Sequence, residues 1–201
     1  MDVFLLRHGE TEGNRQGRYI GATDQPLSAR GREALRQQGS FDRVERVYVS
    51  PLLRARQTAR LLFPQARLRV VDDLREMNFG SFEGRTAEEM RDDPGYRAWV
   101  DSDCRAACPG GEDIGAFRAR TCAAFERIAG EALAAQAPRL ILVTHGGSIM
   151  AIMSRYARPG RPYFAWRVNN GCGYRARLDE AAWAQDPGLS AWQLLEELRL
   201  C

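Results

Sequence analysis

The chain has 201 residues, 44% of them hydrophobic, enough to bury one well-formed core, so a single domain is expected. Its net charge of +3 comes from arginines that alternate with Asp and Glu, which argues against nucleic acid as a partner and suits a local cationic cluster around a small anion. No apolar run reaches about 18 residues and Arg7 interrupts the first apolar stretch, so neither a membrane span nor a signal peptide is expected, and the cytoplasm is the expected compartment.

The first strand is predicted over Val3 to Leu6, followed by a helix from Ser28 to Gly39 and a second strand from Val44 to Val49. Ser50 is placed to cap the next helix, Pro51 to Leu62, with Pro51 in its first turn and Arg54 about one turn inside. A third strand spans Leu68 to Val71. From about Gly84 to Gly111 the breakers Asp92-Asp93-Pro94-Gly95 and Cys108-Pro109-Gly110-Gly111 bound a helical, lid-like insertion at 84–111. A long helix over Glu112 to Gln136 precedes a fourth strand, Leu140 to Thr144, a helix from Ser148 to Tyr156, and two weaker strands, Gly173 to Leu178 and Ala191 to Leu195. The alternation predicts an α/β three-layer sandwich, its mostly parallel central sheet carrying helices on both faces.

Five cysteines, Cys104, Cys108, Cys122, Cys172 and Cys201, form no C-x-x-C pair, so reduced and mostly buried thiols are expected rather than a disulfide framework or a zinc knuckle.

Ligands of a parallel sheet bind beyond the carboxyl ends of its strands. Arg7-His8-Gly9-Glu10-Thr11 follows the first strand, Ser50 to Arg54 the second, Glu76 comes shortly after the third, and His145-Gly146-Gly147 follows the fourth. The chain has two histidines, and both stand at such strand ends with a glycine next, where a backbone without side chains lets a ligand approach. His145-Gly146-Gly147-Ser148 also opens a helix whose first amides favour an anion.

The runs L-R-H-G-E-T with Asn14, S-P-L-x-R-x-x-Q-T, L-x-E-M-x-F-G-x-F-E-G and T-H-G-G stand in this order from Val3 to about Ile149. The combination resembles the histidine phosphatase superfamily, the phosphoglycerate-mutase-like proteins. That resemblance implies a three-layer α/β fold, a phosphohistidine intermediate, and neither metal nor cofactor. A phosphate monoester is a dianion, and the guanidinium forks of Arg7 and Arg54 can each give it two parallel hydrogen bonds. His8 is the expected nucleophile, its second nitrogen fixed by a backbone carbonyl such as that of Gly9. His145, protonated, and Asn14 are expected as donors to the transferring oxygens, with a loop cap as the alternative for Asn14. By resemblance, Glu76 is the general acid and then the base. Glu83 is read as structural, and Glu10 as near the pocket without touching phosphate.

The mutases of this superfamily carry adjacent basic residues on a longer insertion. Between Gly84 and Phe117 this chain has Arg85, Arg91, Arg97 and Arg105 with no adjacent pair, which favours hydrolysis. Glu76 to Gly84, Trp99, Pro109-Gly110-Gly111-Glu112 and Phe117-x-x-Arg120 resemble the α-ribazole phosphatase branch, which removes phosphate from a nucleotide-loop precursor of cobalamin. Trp99 is either a core aromatic or a ring that stacks on the substrate base. The expected partner is a small phosphorylated metabolite. Broad-specificity sugar-phosphate phosphatase and phosphoglycerate mutase remain as alternatives, as does a homodimer. A metal-dependent hydrolase lacks ligands beyond His8 and His145.

Overall fold

The computed structural model describes residues 1–197, so Cys201 lies outside the described residues. In chain order the elements are strand β1 (Asp2–Arg7), helices α1 (Glu12–Arg15) and α2 (Ala29–Gln37), strand β2 (Arg46–Val49), helix α3 (Leu53–Leu62) and strand β3 (Arg67–Val70). After short 3-10 turns come helices α4 (Pro94–Asp101) and α5 (Ile114–Ala134), strand β4 (Arg139–Thr144), helix α6 (Gly146–Tyr156), and strands β5 (Gly173–Leu178) and β6 (Leu189–Leu195).

The strands form one sheet in the order β3-β2-β4-β1-β5-β6. β3, β2, β4 and β1 are mutually parallel, while β5 runs antiparallel to both β1 and β6. Alternate side chains point to opposite faces of a strand, and the apolar residues divide accordingly. Phe4, Leu6, Val47, Val49, Ile141 and Val143 pack with Leu35 of α2 and with Ala55, Ala59 and Leu62 of α3. Val3, Leu5, Tyr48, Leu140 and Leu142 pack on the other face with Phe125 and Ile128 of α5 and with Ile149 and Ile152 of α6. The result is the three-layer arrangement, and the central strands are buried on both sides because both faces are covered.

Several boundaries differ from the sequence expectation by one or more residues, and three of them matter for the site or its cover. Helix α3 begins at Leu53 and its cap residue is Leu52, not Ser50. The Ser50 hydroxyl is drawn to His145 Nε2 at 2.6 Å and accepts from the Leu52 amide at 3.3 Å, while Asp24 Oδ1 takes the Leu53 amide at 2.6 Å. Arg54 therefore sits in the first turn of the helix instead of one turn inside it. Asp93 and Pro94, expected as breakers, start a helix: the Asp93 side chain accepts from the Gly95 and Tyr96 amides and Pro94 occupies the first turn. The fourth predicted helix starts two residues early, at Gly146, with His145 at its cap position. Within 84–111 the chain forms a 3-10 turn, Glu88–Met90, and α4.

Candidate active site

β1 and β4 are parallel neighbours in a register that pairs Arg7 with Thr144. The next residue on each strand is a histidine, and the two rings lie with centroids 5.1 Å apart, close to the spacing of adjacent strands. β2 flanks β4 on its other side, with Val49 opposite Val143, so Ser50 arrives beside His145. Strand adjacency alone gathers these three side chains. Thr58 of α3 accepts from the Gly9 amide at 2.9 Å and donates to the Arg54 carbonyl at 2.7 Å, tying the turn after β1 to the helix that carries Arg54.

His8 Nδ1–H donates to the Gly9 carbonyl at 2.7 Å, which leaves Nε2 without a proton, and Nε2 accepts from Arg54 Nε at 3.3 Å. Burial, then Arg54 and Arg7, hold the His8 imidazole well below its ordinary titration range. Burial, Arg54, His8, Arg7 and Arg120 do the same to His145, which favours its neutral form. Its Nδ1 is buried with no partner among the described residues. The charge that would protonate it has to come with an anion.

The two arginines are deployed differently. Arg54 is fully buried, and besides His8 it donates through Nη1 to the Thr23 carbonyl at 2.8 Å and through Nη2 to the Gly21 and Ile20 carbonyls at 2.8 and 3.4 Å. Its donors are largely engaged, so the expected free fork is not found there. Arg7 donates through Nη1 to the Val168 carbonyl at 2.7 Å, and its Nε is buried without a partner among the described residues. Arg7 lines a cavity of about 490 Å³ together with Asn14, Glu76 and Gly146. Much of the remaining lining is aromatic, including Tyr19, Phe79, Trp99, Phe117, Tyr163 and Phe164. His8, Arg54 and His145 are buried and are not part of that lining.

Glu76 follows a 3-10 turn, Asp72–Leu74, beyond β3. Its carboxylate accepts from the Met77 and Gly147 amides, each at 3.0 Å. Burial nonetheless raises its pKa against the opposing pull of those amides, Arg54 and Arg7. Arg120 secures this segment by donating to the Asp73, Arg75 and Glu76 carbonyls and pairing at 2.6 Å with Glu112. Asn14 sits where the end of the first helix meets the cavity. It completes a capping box with Thr11, and it lines the cavity.

Glu10 accepts from Ser28 at 3.1 Å. Trp99 packs edge-on to Tyr19 and Phe79 and also lines the cavity, so the core reading and the cavity reading both describe its position. Cys104 and Cys172 are half-buried at the cavity instead of in the core, while Cys108 and Cys122 are buried. Sequence reasoning missed Asn170, which donates to the His8 carbonyl at 3.2 Å and to Asn14 Oδ1 at 3.1 Å. Its setting, Asn169-Asn170-Gly171, reads as an ordinary turn. Among the described residues no group of three His, Cys, Asp or Glu is placed to hold a metal ion, and no helix is long and apolar enough to cross a membrane.

Residues 3–186 match the family model described as histidine phosphatase superfamily (branch 1). Among curated proteins, the adenosylcobalamin/alpha-ribazole phosphatase of Escherichia coli (strain K12) is 33% identical over 183 residues, covering 86% of this chain and 87% of that protein. A protein named "Probable phosphoglycerate mutase GpmB" from Enterobacter sp. (strain 638) is 30% identical over 193 residues, covering 91% and 87%. The crystal structure of the alpha-ribazole phosphatase from Shigella flexneri superposes with a TM-score of 0.77 at 29% identity, covering 97% of this chain and 96% of that one. By sequence and by fold, the chain belongs to the histidine phosphatase superfamily, branch 1, and is a phosphatase.

Proposed function

We propose that the chain hydrolyses phosphomonoesters through a phosphohistidine on His8, and that its substrate is α-ribazole 5′-phosphate. The observation that supports this most is the unprotonated Nε2 of His8, held by the Gly9 carbonyl on Nδ1 and facing Arg54. The Nε2 lone pair attacks phosphorus in line as Arg54 Nε exchanges its bond to the ring for one to a phosphoryl oxygen. Arg7, with its uncommitted donors, Asn14, and the buried Nδ1 of His145 complete the anion site. The phosphorus–oxygen bond to the leaving group breaks, and protonated Glu76 delivers its proton to the departing alkoxide. The Glu76 carboxylate then takes a proton from water as that water attacks phosphohistidine, which releases inorganic phosphate and restores His8 and the acid.

The aromatic lining suits a flat, largely apolar leaving group, and Trp99 and Cys104 bring the 84–111 insertion to the cavity wall as its cover. The relative named as a mutase supports a second reading, phosphoryl exchange between phosphoglycerates. A panel of phosphomonoesters decides between them. The highest kcat/KM is expected for α-ribazole 5′-phosphate; a higher value for a sugar phosphate would replace the substrate, and efficient exchange between phosphoglycerates would replace hydrolysis.

A further inference from the structure

Arg54 is a buried cation with no carboxylate among its hydrogen-bond partners in the described residues. Glu76, Asp24 and Glu83 all act on its charge, and Glu83 does so from the far side of the 20–23 loop. Glu83 accepts from the Gly21 amide with both oxygens at 3.1 Å, from Ala22 at 2.8 Å, from Thr23 at 3.3 Å, from the Thr23 hydroxyl at 2.6 Å, and from Phe79 at 3.0 Å. The carbonyls of Ile20 and Gly21 belong to the same two peptide units as the Gly21 and Ala22 amides, and they point the other way, onto Arg54 Nη2. Each unit has its N–H on the carboxylate and its C=O on the guanidinium. A peptide dipole of about 3.5 D is thus aligned between an anion and a cation, twice in succession. The loop can pass this closely because residue 21 is glycine: a Cβ there would lie 1.8 Å from the Met77 carbonyl oxygen and 2.6 Å from Glu83 Oε1.

We infer that Glu83 is the positioning residue for Arg54, acting through the 20–21 and 21–22 peptide units to hold Nε against His8 Nε2. This rests on the phosphohistidine reading, in which Arg54 must meet the phosphoryl group in a fixed place. Glu83 has no contact with His8 and meets the cavity lining at the Phe79 amide, so its route to the nucleophile runs through Arg54.

The test is a double-variant cycle on kcat/KM with p-nitrophenyl phosphate, using Glu83→Gln, Arg54→Ala and the pair. Glu83→Gln alone is expected to lower kcat/KM by about a hundredfold, the scale of an ångström's misplacement at a reacting group. On an Arg54→Ala background the same change is expected to cost nothing further. Thr23→Val, which deletes one contact on the exposed loop, should repeat the pattern at smaller size where Glu83→Gln folds poorly. The acid limb of the kcat/KM profile adds a readout that mere support of the fold would not move. His8 faces Arg54, Arg7 and His145, and loosening Arg54 should shift that limb to higher pH. Losses that multiply in the double variant, or an unmoved limb, overturn the assignment of Glu83. Full activity of Arg54→Ala alone would instead overturn the phosphohistidine reading.

Discussion

The His8 and His145 rings meet at 60° with 5.1 Å between centroids, two neutral imidazoles buried beside two guanidiniums. Both titrate well below the ordinary histidine value when folded, whereas in the unfolded chain each titrates near about 6.5. Below that pH the unfolded state binds protons the folded state refuses, so stability is complete above it and drains as pH falls toward the folded values. Each ring should cost up to about 1.4 kcal/mol per pH unit across that window. Denaturant midpoints between pH 8 and 5.5 should fall, and His8→Asn or His145→Asn should each flatten the slope. Midpoints that fall equally in wild type and variants would refute buried neutral rings.

Arg7, not Arg54, carries the uncommitted donors, so it is the arginine whose fork geometry should matter for binding the anion. Lysine keeps the charge but offers no planar pair of donors. Arg7→Lys is expected to weaken competitive inhibition by inorganic phosphate by at least about tenfold, with a parallel loss in kcat/KM. An unchanged inhibition constant would mean that charge alone suffices there.

Much of this site is legible in the chain because strand order does the assembling. An unbroken apolar run such as Leu140-Ile141-Leu142-Val143 declares a strand buried on both faces, and a histidine one residue past each of two such strands needs only their adjacency to meet its twin. What the sequence hides is long-range hydrogen bonding. Ser50-Pro51 has the form of a helix start, yet the hydroxyl goes to a residue 95 positions away. Glu83 reads as a turn residue because its partners in the 21–23 loop lie about 60 positions upstream. The engagement of Arg54 by three carbonyls is invisible for the same reason: backbone acceptors carry no sequence signature.

Glu76 is half-buried at the cavity wall and desolvation raises its pKa, the direction that favours a carboxyl holding a proton for a departing alkoxide. Glu76→Gln should cost about 10²- to 10⁴-fold with alkyl phosphates and far less with p-nitrophenyl phosphate, whose leaving group is stable without protonation. Pre-steady-state measurement of phenol release isolates this step. Equal losses on both substrate types would remove Glu76 from the role of acid.

The two glycines after His145 should respond oppositely to alanine. A Cβ at Gly146 would stand 3.5 Å from Arg7 Nε, an ordinary contact, whereas one at Gly147 would fall 2.4 Å from Glu76 Oε1 and 3.2 Å from the Phe117 ring. Gly147 also donates the 3.0 Å amide bond that anchors the other Glu76 oxygen, so a displaced carboxyl loses its support along with its space. Gly147→Ala is expected to reproduce the leaving-group pattern of Glu76→Gln, with alkyl phosphates losing about a hundredfold. Gly146→Ala should stay within about threefold of wild type, because alanine is at home in a first helical turn and the cavity there can take one methyl group. Should Gly147→Ala slow aryl and alkyl phosphates equally, the glycine would be serving the anion site and not the acid, and the position of the Glu76 carboxyl would owe nothing to the missing side chain.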